Sequence, residues 1–410
     1  MNFPLYFSRK IAFSKDNKNN LSRVIIFIGR LSVAIGIIVS LITVSTGFGS
    51  KKAIKERLAD FGGHVTVKST RSNSSYNTSI VDTDGLNLKA INNLKLVSST
   101  QKYATVTGIM RNKHSFAGII LKGVGKDFDS LRFKKFLVAG RTPKFTEIGY
   151  NNEVVISQKI ANDLHLKVND SIITVFSKND QKQPIYRKFA VSGIYKTDIK
   201  MIDDQFVLGD INQVRKILNM DKNQFGGIDI FFKDVNDSEK ENSDIDKLIG
   251  YKNYAEKAVD KFPQIADWIS IFDVNIALII AIMLIVVIIN IIMVLLILII
   301  ERTNSIGLLK TLGATNGQIR ATFINYTLII MVPGLLFGNL IGVGLLLLQK
   351  FFGIIKLNPD NYYVSVVPVD LNPVPIIAIS VGILAVSALA LIIPSYLISK
   401  ISPVKAIKYS

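Results

Sequence analysis

The run VNIALIIAIMLIVVIINIIMVLLILII, from Val274 to Ile300, contains no charged residue. Wound as an α-helix at 1.5 Å per residue it would reach about 40 Å, beyond the hydrocarbon core of a bilayer, about 30 Å. The stretch therefore predicts a membrane span that tilts or projects. Three further runs match it: Val24 to Phe48, interrupted only by Arg30; Ala321 to Gln349, containing Pro333; and Leu371 to Ser399, containing Pro373, Pro375 and Pro394. Neighbouring helices satisfy the backbone groups that such prolines free. These runs account for a mean hydropathy of +0.35 over 410 residues, too oily for an ordinary soluble enzyme. The polar block between the first and second is long enough to bury its own core.

The expected fold is four transmembrane α-helices with a large α+β extracytoplasmic (periplasmic) domain between helices 1 and 2. Its divisions are a cytoplasmic segment (1–23), the first span (24–50), the periplasmic domain with helical stalks (51–270) and the second span (271–300). A cytoplasmic loop (301–320), the third span (321–349), a periplasmic loop (350–370), the fourth span (371–399) and a cytoplasmic tail (400–410) follow.

Lysine and arginine near span ends mark the cytoplasm. Arg9, Lys10, Lys15, Lys18 and Arg23 precede span one; Arg302, Lys310 and Arg320 lie between spans two and three; Lys400, Lys405 and Lys408 occupy the tail. Lys51, Lys52, Lys55 and Arg57 argue the other way, but long domains translocate largely regardless of charge. Both termini are expected in the cytoplasm, with the first run an uncleaved span, since it shows no A-x-A site. Arg30 is expected to snorkel to the interface. About half of the net charge of +18 lies in these short pieces, so topology and anionic headgroups explain it without nucleic acid.

Residues 51 to 270 alternate strand-like runs with turns: Val65 to Val67, Tyr103 to Gly108, Phe116 to Leu121, Glu153 to Ile156, Ile172 to Phe176, Phe189 to Ile194, Gln205 to Leu208 and Ile228 to Phe232. Helical spacing predicts helices over 157–164, 211–218 and 238–258, in two lobes joined near 140–150. Arg71 to Thr78 reads as a flexible loop. Ile54, Leu58 and Phe61, ahead of Gly62-Gly63, continue the first span outward, and Ile265, Trp268, Ile269, Phe272 and Ile276 lead into the second. Ser177 to Gln183 and Pro184, between two β-type arms, predict a protruding hairpin, either simply solvated or pairing with a partner protein.

Between spans two and three, Asn304 or Ser305 is placed to cap a short helix bearing Ile306, Leu309 and Leu312 on one face. Gly313 would end it in a left-handed residue, and Thr315 with Gln318 forms a capping box for span three. Such a helix is either an interfacial turn or a ridge for a partner's groove.

The string IGLLKTLGAT, Ile306 to Thr315, with Ile319 and Phe323 following, resembles the coupling-helix signature of FtsX-like permeases, the membrane subunits of a class of ABC transporters. Ser305 stands where the family usually has an acidic residue. The ending from Pro394 to Tyr409 resembles the family's P-x-x-x-A-x-x-x-x-P-x-x-A-[LI]-[RK]-Y. The run from Tyr362 to Val369, and Arg9 with Gly47-Phe48, look like the lipoprotein-releasing (Lol) branch. This resemblance implies extraction of lipoproteins from the inner membrane for delivery to a periplasmic carrier. Two permease copies, or one beside a related subunit, would work with cytoplasmic ABC ATPases that bind ATP-Mg. Ile306, Gly307, Leu308, Leu309, Lys310, Thr311, Leu312, Gly313 and Ala314 would dock on the ATPase. The hairpin residues Lys182, Gln183, Pro184, Ile185 and Tyr186 would meet the carrier, and Val33, Ile37, Leu41, Val44 and Phe48 would face a lipid cavity. Regulation of a periplasmic cell-wall hydrolase, and export of a small amphiphile, are the alternatives.

Other chemistry is absent from the sequence. The nearest approach to a P-loop, Gly123-Val-Gly-Lys-Asp127, lacks the spacing and the hydroxyl, so the engine is expected on a separate chain, unlike the macrolide-exporter branch with its fused ATPase. No cysteine is present, which removes thiolate nucleophiles and cysteine-ligated metals. His64, His114 and His165 are too scattered for a metal site, and the pairs Asp203-Asp204 and Asp82-x-Asp84 read as solvated turns. No catalytic residue or bound cofactor is expected on this chain.

Overall fold

The computed structural model describes residues 3–12, 20–72, 77–113, 115–146, 149–177, 183–234 and 244–400. The chain divides into two compact units, one of Met1–Ser50, Ser270–Ile355 and Val367–Ser410, the other of Lys51–Ile269 and Lys356–Val366. In chain order the helices begin with α1 (Phe3–Ala12) and α2 (Asn20–Gly62). The short α3 (Leu88–Asn92), α4 (Ser130–Lys134), α5 (Gln158–Asp163), α6 (Lys200–Asp203), α7 (Ile211–Leu218) and α8 (244–248) follow. Last come α9 (Pro263–Glu301), α10 (Thr303–Thr311), α11 (Asn316–Phe352), α12 (Pro359–Tyr362), α13 (Pro373–Ala390) and α14 (Ile392–Ser395).

In the first unit, helix α2 is approached closely on two sides through glycine. Gly29, Gly36 and Gly47 face Val294, Val287 and Ile276 of the antiparallel α9, and an added Cβ at any of them would come within 2.7 Å of those side chains. On the other side Gly334, Gly338 and Gly342 of α11, one every fourth residue, lie against Arg30, Ala34 and Ile38. A Cβ at Gly334 would be 2.5 Å from the Arg30 carbonyl oxygen, and one at Gly338 2.8 Å from that of Ala34. Lipid tails are as apolar as leucine, so in a bilayer such small-residue stripes, which let backbones approach, drive association. Polar links supplement it: Ser380 donates to Asn339 Oδ1 at 3.0 Å, and Arg30, besides its exposed position, donates from Nε to the Ile330 carbonyl at 3.2 Å. The fourth apolar run is not one uninterrupted helix. It breaks at Leu391 and finishes as α14 and a 3-10 turn, Tyr396–Lys400, because Pro394 cannot donate to the turn before it.

The eight strand-like runs of the second unit fall on strands, that of Gln205 to Leu208 starting one residue early: β1 (Val65–Ser69), β2 (Val97–Arg111), β3 (Phe116–Val124), β5 (Glu153–Ser157), β6 (Ser171–Phe176), β7 (Ile185–Tyr195), β8 (Phe206–Asp210) and β9 (Gly227–Phe232). Two more, β4 (Leu137–Gly140) and β10 (Asn253–Lys257), were not apparent from alternation. The helix expected over 238–258 is corrected accordingly. Residues 235–243 lie outside the described set, 244–248 are helical, and the remainder turns into β10, which pairs with β1 from Val65↔Lys257 to Ser69↔Asn253.

The two-lobe division near 140–150 is also corrected. Strands β2, β3, β8, β5, β7 and β6 pair in sequence and β6 pairs again with β2, closing a circuit of six; β9, β1 and β10 extend the sheet from the first half of β2. The long β2 thus runs through both parts. Inside the circuit Val106, Met110, Leu121, Ile156, Phe176 and Val191 are fully buried. Asp203 is no solvated turn: it is buried and accepts from the backbone N–H groups of Thr197 (3.0 Å) and Asp198 (3.2 Å), shaping the loop after β7. Asp82 does form a turn, accepting from the Asp84 N–H and pairing with Lys252.

Gly63 ends α2 at φ +77°, where a Cβ would strike Asp229. The next residue, His64, is buried; its Nδ1 accepts the Phe232 N–H at 3.1 Å, and burial pushes its pKa down to about 4. The unfolded chain takes up this proton near pH 6.5, so the stability is intact above that pH and falls on acidification towards 4, by on the order of 3 kcal/mol. Melting in detergent between pH 7 and 4.5 should show the fall in wild type and a shallower one in His64→Gln, whose amide oxygen keeps the acceptor. Equal slopes would remove His64 as the cause.

Candidate functional site

Helix α10 is the exposed connection between two long helices of the first unit. It starts at Thr303, whose hydroxyl donates to the Ile299 and Ile300 carbonyls at 3.0 and 2.7 Å, after an N-cap at Arg302 that makes no side-chain capping bond. Asn304 and Ser305 therefore lie inside the helix and do not cap it. At the far end Gly313 has φ +92°, and the capping box of Thr315 and Gln318 starts α11.

The expected apolar face of Ile306, Leu309 and Leu312 is divided by the packing. Ile306 is fully buried among Ile319, Phe323 and Ile398, Gly307 is buried, and Leu309 is half-buried against the same cluster. Leu308 and Leu312, one turn apart, are 57% and 76% exposed. Lys310 donates to the Ile398 carbonyl at 2.9 Å, and Arg320 lies 3.6 Å over the Tyr396 ring. Thr311 and Gly313 are exposed, Ala314 half-exposed. The arrangement has an anchored inner face and an outer apolar pair. The i, i+4 spacing of Leu308 and Leu312 was visible in sequence; the capture of the helix by the 3-10 turn at 396–400 was not.

Val33, Ile37, Leu41 and Val44 are at most 5% exposed, and the first three fill the interior of the first unit with Val287, Ile291 and Leu295. Of the five residues assigned to a lipid cavity, Phe48 alone is exposed, at 37%. The strongly exposed apolar side chains on the early part of α2 are Val24, Phe27, Ile28, Leu31 and Ile35. Sequence reading missed them because an all-apolar run hides which side faces a neighbour.

Strands β6 and β7 form an antiparallel hairpin paired from Ser171↔Ala190 to Phe176↔Ile185. Lys182 and most of the tip, 178–182, lie outside the described residues; Gln183, Pro184 and Tyr186 are exposed and Ile185 half-buried. The edge of β6 is occupied by β2, with Arg111 opposite Ile173 and Ile109 opposite Val175. Along the outer side of this end of the sheet Ile109, Phe116, Ile173 and Tyr186 are all exposed. The registers bring them onto one face of neighbouring strands, with Arg111 between Phe116 and Ile173 and Lys188 beside Ile173.

Among the described residues no cluster of three or more histidine, aspartate or glutamate side chains is placed to hold a metal. His165 is exposed, and His114 lies outside the described set, as do residues 73–76 of the Asn-rich loop and the tail 401–410.

Comparison with known proteins follows this division. The FtsX-like permease C-terminal family model matches residues 277–403, and the MacB-like periplasmic core domain model matches residues 30–248. The lipoprotein-releasing system transmembrane protein LolE of Haemophilus influenzae is 23% identical, covering 99% of this chain and 99% of its own length. LolC of Xylella fastidiosa (strain Temecula1), which bears the same system name, is 21% identical over 92% of each. Among solved structures, the periplasmic region of MacB from Actinobacillus actinomycetemcomitans aligns with 50% of this chain and 92% of its own, at 15% identity and a TM-score of 0.33.

Proposed function

Since this chain belongs to the ABC transporter permeases that join a MacB-like periplasmic core to an FtsX-like C-terminal region, we propose that it extracts lipoproteins from the bacterial inner membrane and passes them to a periplasmic carrier. The end-to-end similarity to LolE and LolC supports this cargo. The observation that carries the coupling is helix α10, anchored by Ile306 and presenting Leu308 and Leu312 outward. A cytoplasmic ATPase, separate from this chain, receives that pair in a groove, binds ATP-Mg and supplies the stroke. A second permease, identical or related, completes the assembly about a two-fold axis. Both termini and α10 lie in the cytoplasm, and the domain of residues 51–269 in the periplasm.

The cargo demands such an engine. Moving one acyl chain of about 14 methylenes into water costs on the order of 11 kcal/mol at ~0.8 kcal/mol per group, so release needs both work and an apolar acceptor. In this reading the exposed side chains of Phe27, Ile28, Leu31, Ile35 and Phe48 contact the acyl chains. The face of Ile109, Phe116, Ile173 and Tyr186, with Gln183, Pro184 and Ile185, offers the carrier its docking surface. Replacing Tyr186 and Phe116 together by Asp should weaken carrier binding about 100-fold, as loss of two aromatic anchors does, with ATPase binding unchanged. Affinity measurement on immobilised complex checks it, and unchanged carrier affinity would move the docking surface elsewhere.

Purification from native membranes tests the whole. An ATPase and triacylated proteins are expected in the complex; a hydrolase without lipoproteins would replace this reading with that of a transmembrane regulator.

A further inference from the structure

The last turns of α2, within the second unit, are held by packing, ion pairs and hydrogen bonds. Ile54, Leu58 and Ala59 are buried, and Arg57 Nη1 donates to Asp198 Oδ2 at 2.5 Å and to the Thr197 carbonyl at 2.8 Å. Asp60 pairs with Lys135 and, at 3.8 Å, Arg132. The final two carbonyls meet two lysines: Lys122 of β3 donates to Phe61 O at 3.2 Å, and Lys261, just ahead of α9, donates to Gly62 O at 3.0 Å. Both lysines converge on Asp229 of β9. Lys122 Nζ is 2.6 Å from Oδ2 and Lys261 Nζ 3.7 Å from Oδ1, while Thr66 of β1 donates to Oδ1 at 2.8 Å and accepts from Lys261.

The charges explain the composition. A helix C-terminus carries roughly half a negative charge and unpaired carbonyls, so two cations against one carboxylate suit it better than a neutral pair. The side chains of Lys122 and Asp229 are 6% and 0% exposed. Desolvating such groups offsets most of their attraction, and apolar substitutes of similar size hold a fold equally well. What the cluster adds is direction: donors from β3 and from the lead-in to α9 fix the helix end against β9 and β1.

We infer that Lys122, Asp229 and Lys261 are positioning residues for transport, a clamp that passes movement of the first membrane helix to the sheet instead of letting it dissipate at the joint. The inference rests on the ATP-driven reading above for its purpose, but its geometry is tested without any cargo. The chain has no native cysteine, so spin labels at Glu56→Cys and Lys222→Cys report the joint in full-length permease with its ATPase in nanodiscs. The charge-free variant Lys122→Met/Asp229→Asn/Lys261→Met should broaden the distance distribution while the melting midpoint holds. ATP consumed per lipoprotein released should rise about fivefold, the scale of coupling changes made by residues remote from a ligand. Lys261→Arg, which keeps donors, should restore the narrow distribution relative to Lys261→Met. If the triple variant fails to fold, Lys261→Met alone, with the Lys122–Asp229 pair intact, is measured. A wild-type distribution in the folded variant overturns the clamp; a broadened one with no lipoprotein release in the unsubstituted permease leaves the clamp standing and removes the cargo.

Discussion

Leu308→Asp with Leu312→Asp should abolish ATPase binding at concentrations that saturate the wild-type chain, while the second unit stays folded. The two side chains are 57% and 76% exposed, so their replacement removes little internal packing. Buried against a partner, each apolar anchor is worth about 2 kcal/mol, and losing both, with two desolvated carboxylates in their place, weakens association by about 1,000-fold. Leu309→Asp provides the contrast. Leu309 packs on the cluster of Ile306, Ile319 and Ile398, so its carboxylate should lower the melting midpoint of the chain itself. Pull-down and melting measured on the same preparations separate the two effects. Retained ATPase binding by the double variant would remove α10 as the docking element.

A second large effect is expected at the glycine stripe. In Gly338→Leu the added Cβ alone would stand 2.8 Å from the Ala34 carbonyl oxygen and 3.0 Å from its Cα, both backbone atoms that no rotamer change can move aside. Helices α2 and α11 must separate, at a cost of about 3 kcal/mol, whereas Gly344→Leu, with open space around the position, should be nearly neutral. Thermal unfolding in detergent measures the difference. Equal midpoints for the two variants would mean that the α2–α11 contact does not hold the first unit together.

How much of this was legible in the sequence depends on the physics of each element. The uncharged run at 274–300 and its three counterparts announce four apolar helices because length and hydropathy suffice. Short β-branched and aromatic runs such as Glu153-Val-Val-Ile or Ile228 to Phe232 announce strands for the same local reason. β10 escaped because Asn253-Tyr-Ala-Glu-Lys is short and polar, and its partner β1 lies far away in the chain. The closed circuit of strands escaped because β2 changes neighbours along its length, a property of registers and not of composition. In the connection between α9 and α11, the capping box and Gly313 were readable as local chemistry. Which leucines face outward was decided by Lys310 and Ile398, two segments distant in sequence. The clamp at Asp229 was invisible for a related reason: its six contributing residues, Phe61, Gly62, Thr66, Lys122, Asp229 and Lys261, come from α2, three strands and the lead-in to α9.

Reconstitution settles the central claim most directly: permease and ATPase in phospholipid vesicles carrying a triacylated protein, with a soluble acylated-protein carrier outside the periplasmic face. ATP addition should transfer the lipidated protein to the carrier, and the Leu308→Asp/Leu312→Asp variant should leave it in the membrane. Hydrolysis that proceeds at full rate while every lipidated molecule stays in the vesicles would contradict the account.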